Sequence, residues 1–141
     1  PGVKQFMDGT REHSKKAGYV ETLFGRRLYL PNINSRNAAL RQYAERTAIN
    51  APLQGTAADL IKLAMIDLDA FLQEKAPDVR IIMQVHDELV FEGPAERIRA
   101  LAPEIAQRMC RISPLKVPLV ADWGVAGNWD AAHSGDGHAT S

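Results

Sequence analysis

A chain of 141 residues has the length of one domain and can bury roughly two thirds of its unfolded surface. Its 45% hydrophobic content is that of a soluble globular protein, and no apolar run approaches the roughly 18 to 20 residues of a membrane span, so no membrane partner is expected. The single cysteine, Cys110, excludes an internal disulfide and fits a reducing, cytoplasmic setting. The net charge of zero hides an asymmetry: residues 1 to 62 carry ten Lys/Arg against five Asp/Glu, and residues 63 to 141 carry seven against twelve. Such halves suit a polyanion on one side and a metal cation on the other, or simply two solvated faces. The chain opens on Pro1 with a helical pattern under way by Lys4, so a piece of a longer protein is expected.

Residues 2 to 17 place Val3, Phe6, Met7 and Thr10 at helical spacing, with Arg11, Lys15 and Lys16 toward the carbonyl end and Gly18 as the stop. Tyr19 to Phe24 and Arg27 to Leu30 are β-prone runs flanking Gly25-Arg26, a hairpin with Arg26 and Arg27 near its tip. Arginines there suit a phosphate backbone or plain solvent. Ser35 to Ile49 reads as a helix capped by Ser35. Arg46, Asn50 and Gln54 then recur every four residues, across Pro52, which forbids a regular helix without a kink. A cation followed by two amides suits phosphates and minor-groove edges, or equally a polar face that caps its neighbours.

Gly55-Thr56 reads as the start of a second helix, with Thr56 as N-cap and Asp59 three residues on. Ala57, Leu60, Ile61, Ala64, Met65, Leu68, Phe71 and Leu72 form its apolar stripe. Val79 to Val85 is a strand. Gly93-Pro94 begins another helix, which Pro103 should kink or split. Val117 to Val120, extending toward Asp122-Trp123, is a last strand, and residues 134–141 are expected to be a disordered tail. The order predicts an α+β fold with long helices packed on a small, mainly antiparallel sheet.

Chemistry concentrates in MQVHDELVFE, Met83 to Glu92, where His86, Asp87 and Glu88 link two apolar strands. A three-residue link normally holds Gly, Asn or Asp at a positive-φ position, and this one has no Gly. Three ionisable groups between segments that favour burial break the local rules, as functional sites do. A carboxylate on a rigid hairpin tip is placed to hold a divalent metal. Because neighbours on an extended segment point to opposite faces, only one of Asp87 and Glu88 is a direct ligand, and the shorter Asp87 suits Mg²⁺ better. The same three residues also make an ordinary hydrophilic turn. His13, His133 and His138 form no zinc spacing, and neither a GxxxxGK[ST] loop nor a nucleophile signature is present. A metal-dependent hydrolase would need a second carboxylate cluster, which the sequence does not offer.

Four blocks resemble the family A, or DNA polymerase I-like, DNA polymerases, in the family's order: GYVETLFGRRLYLP (18–31), AERTAINAPLQGTAADLIKLAM (44–65), QVHDELVFE (84–92) and NWDAAH (128–133). The resemblance covers residues 1–133 and implies the carboxyl-terminal part of a polymerase domain, palm plus part of the fingers. It implies template-directed nucleotidyl transfer to a primer 3′-hydroxyl in DNA replication and repair, using two Mg²⁺ ions, primer-template DNA and deoxynucleoside triphosphates. On that pattern Asp87 matches a catalytic, metal-binding aspartate, Glu88 a nearby carboxylate with a lesser part, and His86 a residue close to the primer end. Arg46, Asn50 and Gln54 match positions that contact primer-template DNA. The family's first catalytic aspartate and its nucleotide-binding helix have no counterpart here and are expected upstream of Pro1, so the chain alone should be inactive. Its hairpin should then carry an unpaired edge, and the isolated chain should be marginally stable. The alternative is a non-catalytic nucleic-acid-binding module built on the basic half.

Overall fold

The computed structural model describes residues 2–112, 115–133 and 137–140. Its elements are α1 (Gly2–Ala17), β1 (Tyr19–Glu21), β2 (Arg27–Tyr29), α2 (Ala38–Lys75), β3 (Arg80–Val85), β4 (Glu88–Glu92), α3 (Ala95–Cys110), β5 (Val120–Trp123), α4 (Trp129–Ala132) and β6 (Gly137–Thr140). The α+β class is as expected and every strand pair is antiparallel, but the described strands form three two-stranded sheets rather than one small sheet. Packing also divides the chain into two compact units, Pro1–Asp59 and Leu60–Ser141, with the boundary inside α2.

In the first unit, α1 ends where Gly18 takes φ +78° and its N–H bonds to the Ser14 carbonyl at 2.8 Å. The chain turns straight into β1, which pairs with β2 in the register Tyr19↔Tyr29, Val20↔Leu28, Glu21↔Arg27. Residues 22–26 form the loop between them, longer than the Gly25-Arg26 link that the sequence suggests, and Gly25 supplies its positive φ of +81°. Val20, Leu30 and Ile33 pack on Ala44 and Ala48 of α2. Asn37, not Ser35, caps that helix: its Oδ1 accepts from the N–H of Ala39 at 2.9 Å and, more distantly, from Leu40. Ser35 instead accepts from Asn37 N–H at 3.2 Å.

Helix α2 is the main departure from the sequence pattern. The expected helices before Pro52 and after Gly55-Thr56 are one element of 38 residues that runs through the proline. Thr56 is therefore no N-cap. Its hydroxyl donates to the Pro52 carbonyl at 2.6 Å, one turn back, and accepts the Leu23 N–H of the first hairpin loop at 2.9 Å. Gly55 is no break signal either. A Cβ there would lie 2.6 Å from Thr22 Cγ2, so the glycine lets that loop lie against the helix.

In the second unit, Leu68, Phe71 and Leu72 of α2 build a core with Ala76, Val79 and Ile105. Ile81, Leu89 and Phe91 of the β3–β4 hairpin and Ile98, Leu101 and Met109 of α3 pack around it. Gly93 ends the hairpin at a close approach, since a Cβ would meet the Asp78 carbonyl oxygen and Val79 Cγ2, both at 2.9 Å. Pro94 is the N-cap residue of α3. Pro103 neither splits nor ends that helix, which is assigned continuously to Cys110. The last expected strand sits later than predicted, at Val120–Trp123. Its partner is the tail: Gly137–Thr140 pairs with it as β6, in the register Val120↔Thr140 to Trp123↔Gly137. Disorder is thus not found at residues 137–140, because the open edge of β5 supplies the backbone partners that a polar segment lacks alone. The rest of the tail, 134–136 and 141, lies outside the described residues.

Leu68 is fully buried, and Leu68→Ala should lower unfolding free energy by about 2–5 kcal/mol through lost contacts and a cavity. Gly93→Ala should destabilise by about 1–3 kcal/mol, since rigid backbone stands in the way. Urea midpoints at unchanged slope measure both.

Candidate functional site

The β3–β4 hairpin is anchored at its base and bare at its tip. Pairing runs Arg80↔Glu92, Ile81↔Phe91, then Met83↔Val90, Gln84↔Leu89 and Val85↔Glu88, with a bulge at Ile82. Glu88 is thus the first residue of β4, and the link is two residues, His86-Asp87, not three. Two-residue links require positive φ, which Gly or Asn normally supplies. Here His86 supplies it at φ 52°, the single positive-φ non-glycine residue among those described. Such a residue carries strain of about 1–3 kcal/mol and persists only where its surroundings over-determine it. The Gln84 side chain contributes directly, with its amide nitrogen donating to the His86 carbonyl at 2.6 Å.

His86, Asp87 and Glu88 are all exposed. Asp87 has no hydrogen-bond or ion-pair partner among the described residues. Its two oxygens fit one ligand position of a divalent cation, which characteristically takes one or two carboxylates along with water and phosphate oxygens. Among the described residues no group of three or more His, Cys, Asp and Glu converges to hold a metal.

Glu88 is engaged. Its Oε1 lies 3.4 Å from Nε2 of His133, the residue that follows α4. The other ring nitrogen of His133 is 2.9 Å from the Trp129 carbonyl oxygen, and the imidazole packs against the Trp129 indole at 5.3 Å between centroids. That carbonyl is the largest cause holding the His133 pKa above the ordinary histidine value; desolvation, next in size, opposes it, and the Glu88 carboxylate and the Asp130 backbone add smaller raising effects.

Arg46, Asn50 and Gln54 lie on α2 and are exposed. Residues four apart are neighbours on one face of a helix. Ala44 and Ala48 face the core, which puts Arg46 and Asn50, each two residues on, about 200° round on the outer side. None of the three has a polar partner among the described residues. Arg26 and Arg27 contrast with them. Arg26 Nε donates to Asp59 Oδ1 at 2.8 Å and Nη2 to the Gly55 carbonyl at 3.0 Å, which ties the hairpin loop to α2. Arg27 donates to Glu21 at 2.7 Å and lies over the Tyr19 ring, 4.4 Å from its centroid. Both guanidiniums have partners within the first unit while remaining about half exposed, a use that the sequence pattern at a hairpin tip does not distinguish from phosphate binding.

The model of DNA polymerase family A matches residues 1–131. The chain belongs to that family. It is 53% identical over 133 residues to DNA polymerase I of Pseudomonas aeruginosa, covering 94% of this chain and 15% of that protein. It is 49% identical over 135 residues to the thermostable DNA polymerase I of Thermus thermophilus, covering 94% of this chain and 16% of that one. Among solved structures it resembles the POL domain of Pol1 from M. smegmatis in complex with DNA primer-template and dNTP, with a TM-score of 0.89, 42% identity and coverage of 94% of this chain and 23% of that one. The chain thus spans about 15% of the length of the curated relatives it matches. No described helix is long and apolar enough to cross a membrane.

Two residues at the hairpin escape sequence reading. Gln84 carries a local signal, an amide two positions before a turn residue in need of support, whereas His133 is marked only as the end of the NWDAAH block, with nothing to link it to Glu88, because that partner is remote in the chain. The raised His133 pKa has a sign that can be tested. Its interactions stabilise the fold fully below about pH 6.5, the unfolded value, and that contribution is lost as pH rises through the higher folded pKa. An NMR titration should therefore give a midpoint above 6.5, and Glu88→Gln should bring it only part of the way back, since the Trp129 carbonyl remains.

Proposed function

We propose that this chain supplies one carboxylate of the metal site, and much of the primer grip, of a DNA-directed DNA polymerase acting in replication and repair in the cytoplasm. The observation that carries the reading is Asp87, exposed and uncommitted at the strained tip of a hairpin whose base is fixed in the core, within a chain of family A. In this reading the substrates are primer-template DNA and deoxynucleoside triphosphates. The primer 3′-oxygen forms a bond to the α-phosphorus while the bond to the departing pyrophosphate breaks. Mg²⁺, as a pair of ions in the complete site, supplies Lewis-acid stabilisation of the reacting oxygens when bound.

The protein's own groups orient that reaction. Asp87 offers carboxylate oxygen to the cation from a tip that cannot swing, because strand pairing begins on both sides of it. His86 stands beside it, next to the primer end, and Glu88 adds negative charge one residue on. Arg46 offers a cation to a backbone phosphate, while Asn50 and Gln54 offer amides to the minor-groove edges of the primer-template duplex. The second carboxylate comes from a part of the full-length protein outside these residues, which the chain's small share of its relatives' length supports.

A non-catalytic nucleic-acid module is the second reading, and the first unit favours it: residues 1–59 carry nine Lys/Arg against five Asp/Glu and present the Arg46 face. Asp87→Ala in the full-length protein separates the two. Primer extension with Mg²⁺ should fall by at least roughly a hundredfold if the carboxylate holds the metal, with binding to primer-template DNA retained; near-normal nucleotide addition would leave only the module. Gln54→Ala should weaken extension from the primer end more than it lowers the melting temperature. Equal losses of both would mark Gln54 as structural.

A further inference from the structure

Glu88 is the carboxylate of the hairpin tip that another element grips. His133 Nε2 meets its Oε1 at 3.4 Å, and the imidazole cannot easily turn away, because Nδ1 meets the Trp129 carbonyl at 2.9 Å and the ring lies on the Trp129 indole. The turn of helix that carries both residues is itself fixed: Asn128 caps it by accepting the Ala131 N–H at 2.9 Å. A carbonyl oxygen can only accept, so Nδ1 is the donor there. When the ring carries both protons its positive charge faces the Glu88 carboxylate as an ion pair at 3.4 Å, and the bond to the Trp129 carbonyl becomes charge-assisted.

The pair contributes little to stability, because both side chains are about half exposed, at 48% and 46%. Its effect falls on geometry. Glu88 adjoins Asp87, and the direction its carboxylate takes decides where the second negative charge of the tip lies. We propose that His133 is a positioning residue for the hairpin: it draws the Glu88 carboxylate toward α4 and leaves Asp87 as the tip's unshared metal-binding carboxylate. The inference rests on the polymerase reading and assigns a role in it to a residue 45 positions downstream of Glu88 in the same fold unit.

The test uses the full-length polymerase, with steady-state primer extension measured at varied deoxynucleotide and Mg²⁺ concentrations. His133→Ala should lower kcat by roughly tenfold, the lower end for losing a group that orients a metal-site carboxylate, with the KM for nucleotide and the affinity for primer-template unchanged. His133→Gln, whose amide nitrogen reaches about where Nε2 lies, should restore most of the loss. In a Glu88→Ala background, His133→Ala should have no further effect, since both act through one contact. The proposal is overturned if His133→Ala extends primers normally, if its loss multiplies independently with that of Glu88→Ala, or if Gln and Ala lose activity alike in step with melting temperature. Asp87→Ala, run alongside, separates the two levels. If Asp87→Ala is inactive and His133→Ala normal, the positioning role alone falls; if Asp87→Ala is active, the polymerase reading falls with it.

Discussion

Proline at position 52 deprives α2 of a backbone donor and crowds the carbonyl of Ala48, at a cost of about 3 kcal/mol in an ordinary helix. The helix nevertheless runs unbroken from Ala38 to Lys75, and both hydrophobic cores draw on it, through Ala44 and Ala48 in one unit and Leu68, Phe71 and Leu72 in the other. Burial on both sides of the proline outweighs the local defect. Around it the helix surface is shaped for contact: Gly55 admits the first hairpin loop, Thr56 bonds both the Pro52 carbonyl and Leu23, and Arg26 reaches across to Gly55 and Asp59. The outer side of the same stretch carries Arg46, Asn50 and Gln54, so one helix supplies core and candidate DNA-binding face together.

Sequence patterns disclosed the elements whose causes are local. The helix α1 and its Gly18 stop, the stripe from Leu60 to Leu72 and the strands around His86-Asp87 all came through, although Val3 and Phe6 of α1 stay exposed. Failures had non-local causes. Pro52, Gly55 and Thr56 look like a helix break in sequence, and only the hairpin loop lying on them makes them a passage. Arg26 suits phosphate or solvent equally in sequence, and its partner Asp59 is visible only once the fold brings the two together. The tail looks disordered until the edge of β5 is available to 137–140. In the site, the motif exposed the trio, but the strain at His86, the Gln84 support and the His133 contact all require three-dimensional placement.

The charge asymmetry of the chain follows its architecture closely. The boundary between units falls between Asp59 and Leu60, a few residues from where composition changes sign, and the second unit holds eight Lys/Arg against twelve Asp/Glu. A basic unit with an uncommitted polar face and an acidic unit with an exposed carboxylate tip are what a polyanion and a cation respectively would seek.

The bulge at Ile82 bears on how such a hairpin can change over evolutionary time. Side chains alternate strictly between faces along a strand, so gaining or losing one residue between Arg80 and Asp87 would exchange the inner and outer sets from that point on. Ile82 already uses up the one such irregularity that this strand pair shows. A gained or lost residue in this hairpin would therefore turn the apolar side chains beyond it away from the core, whereas a substitution leaves the register intact.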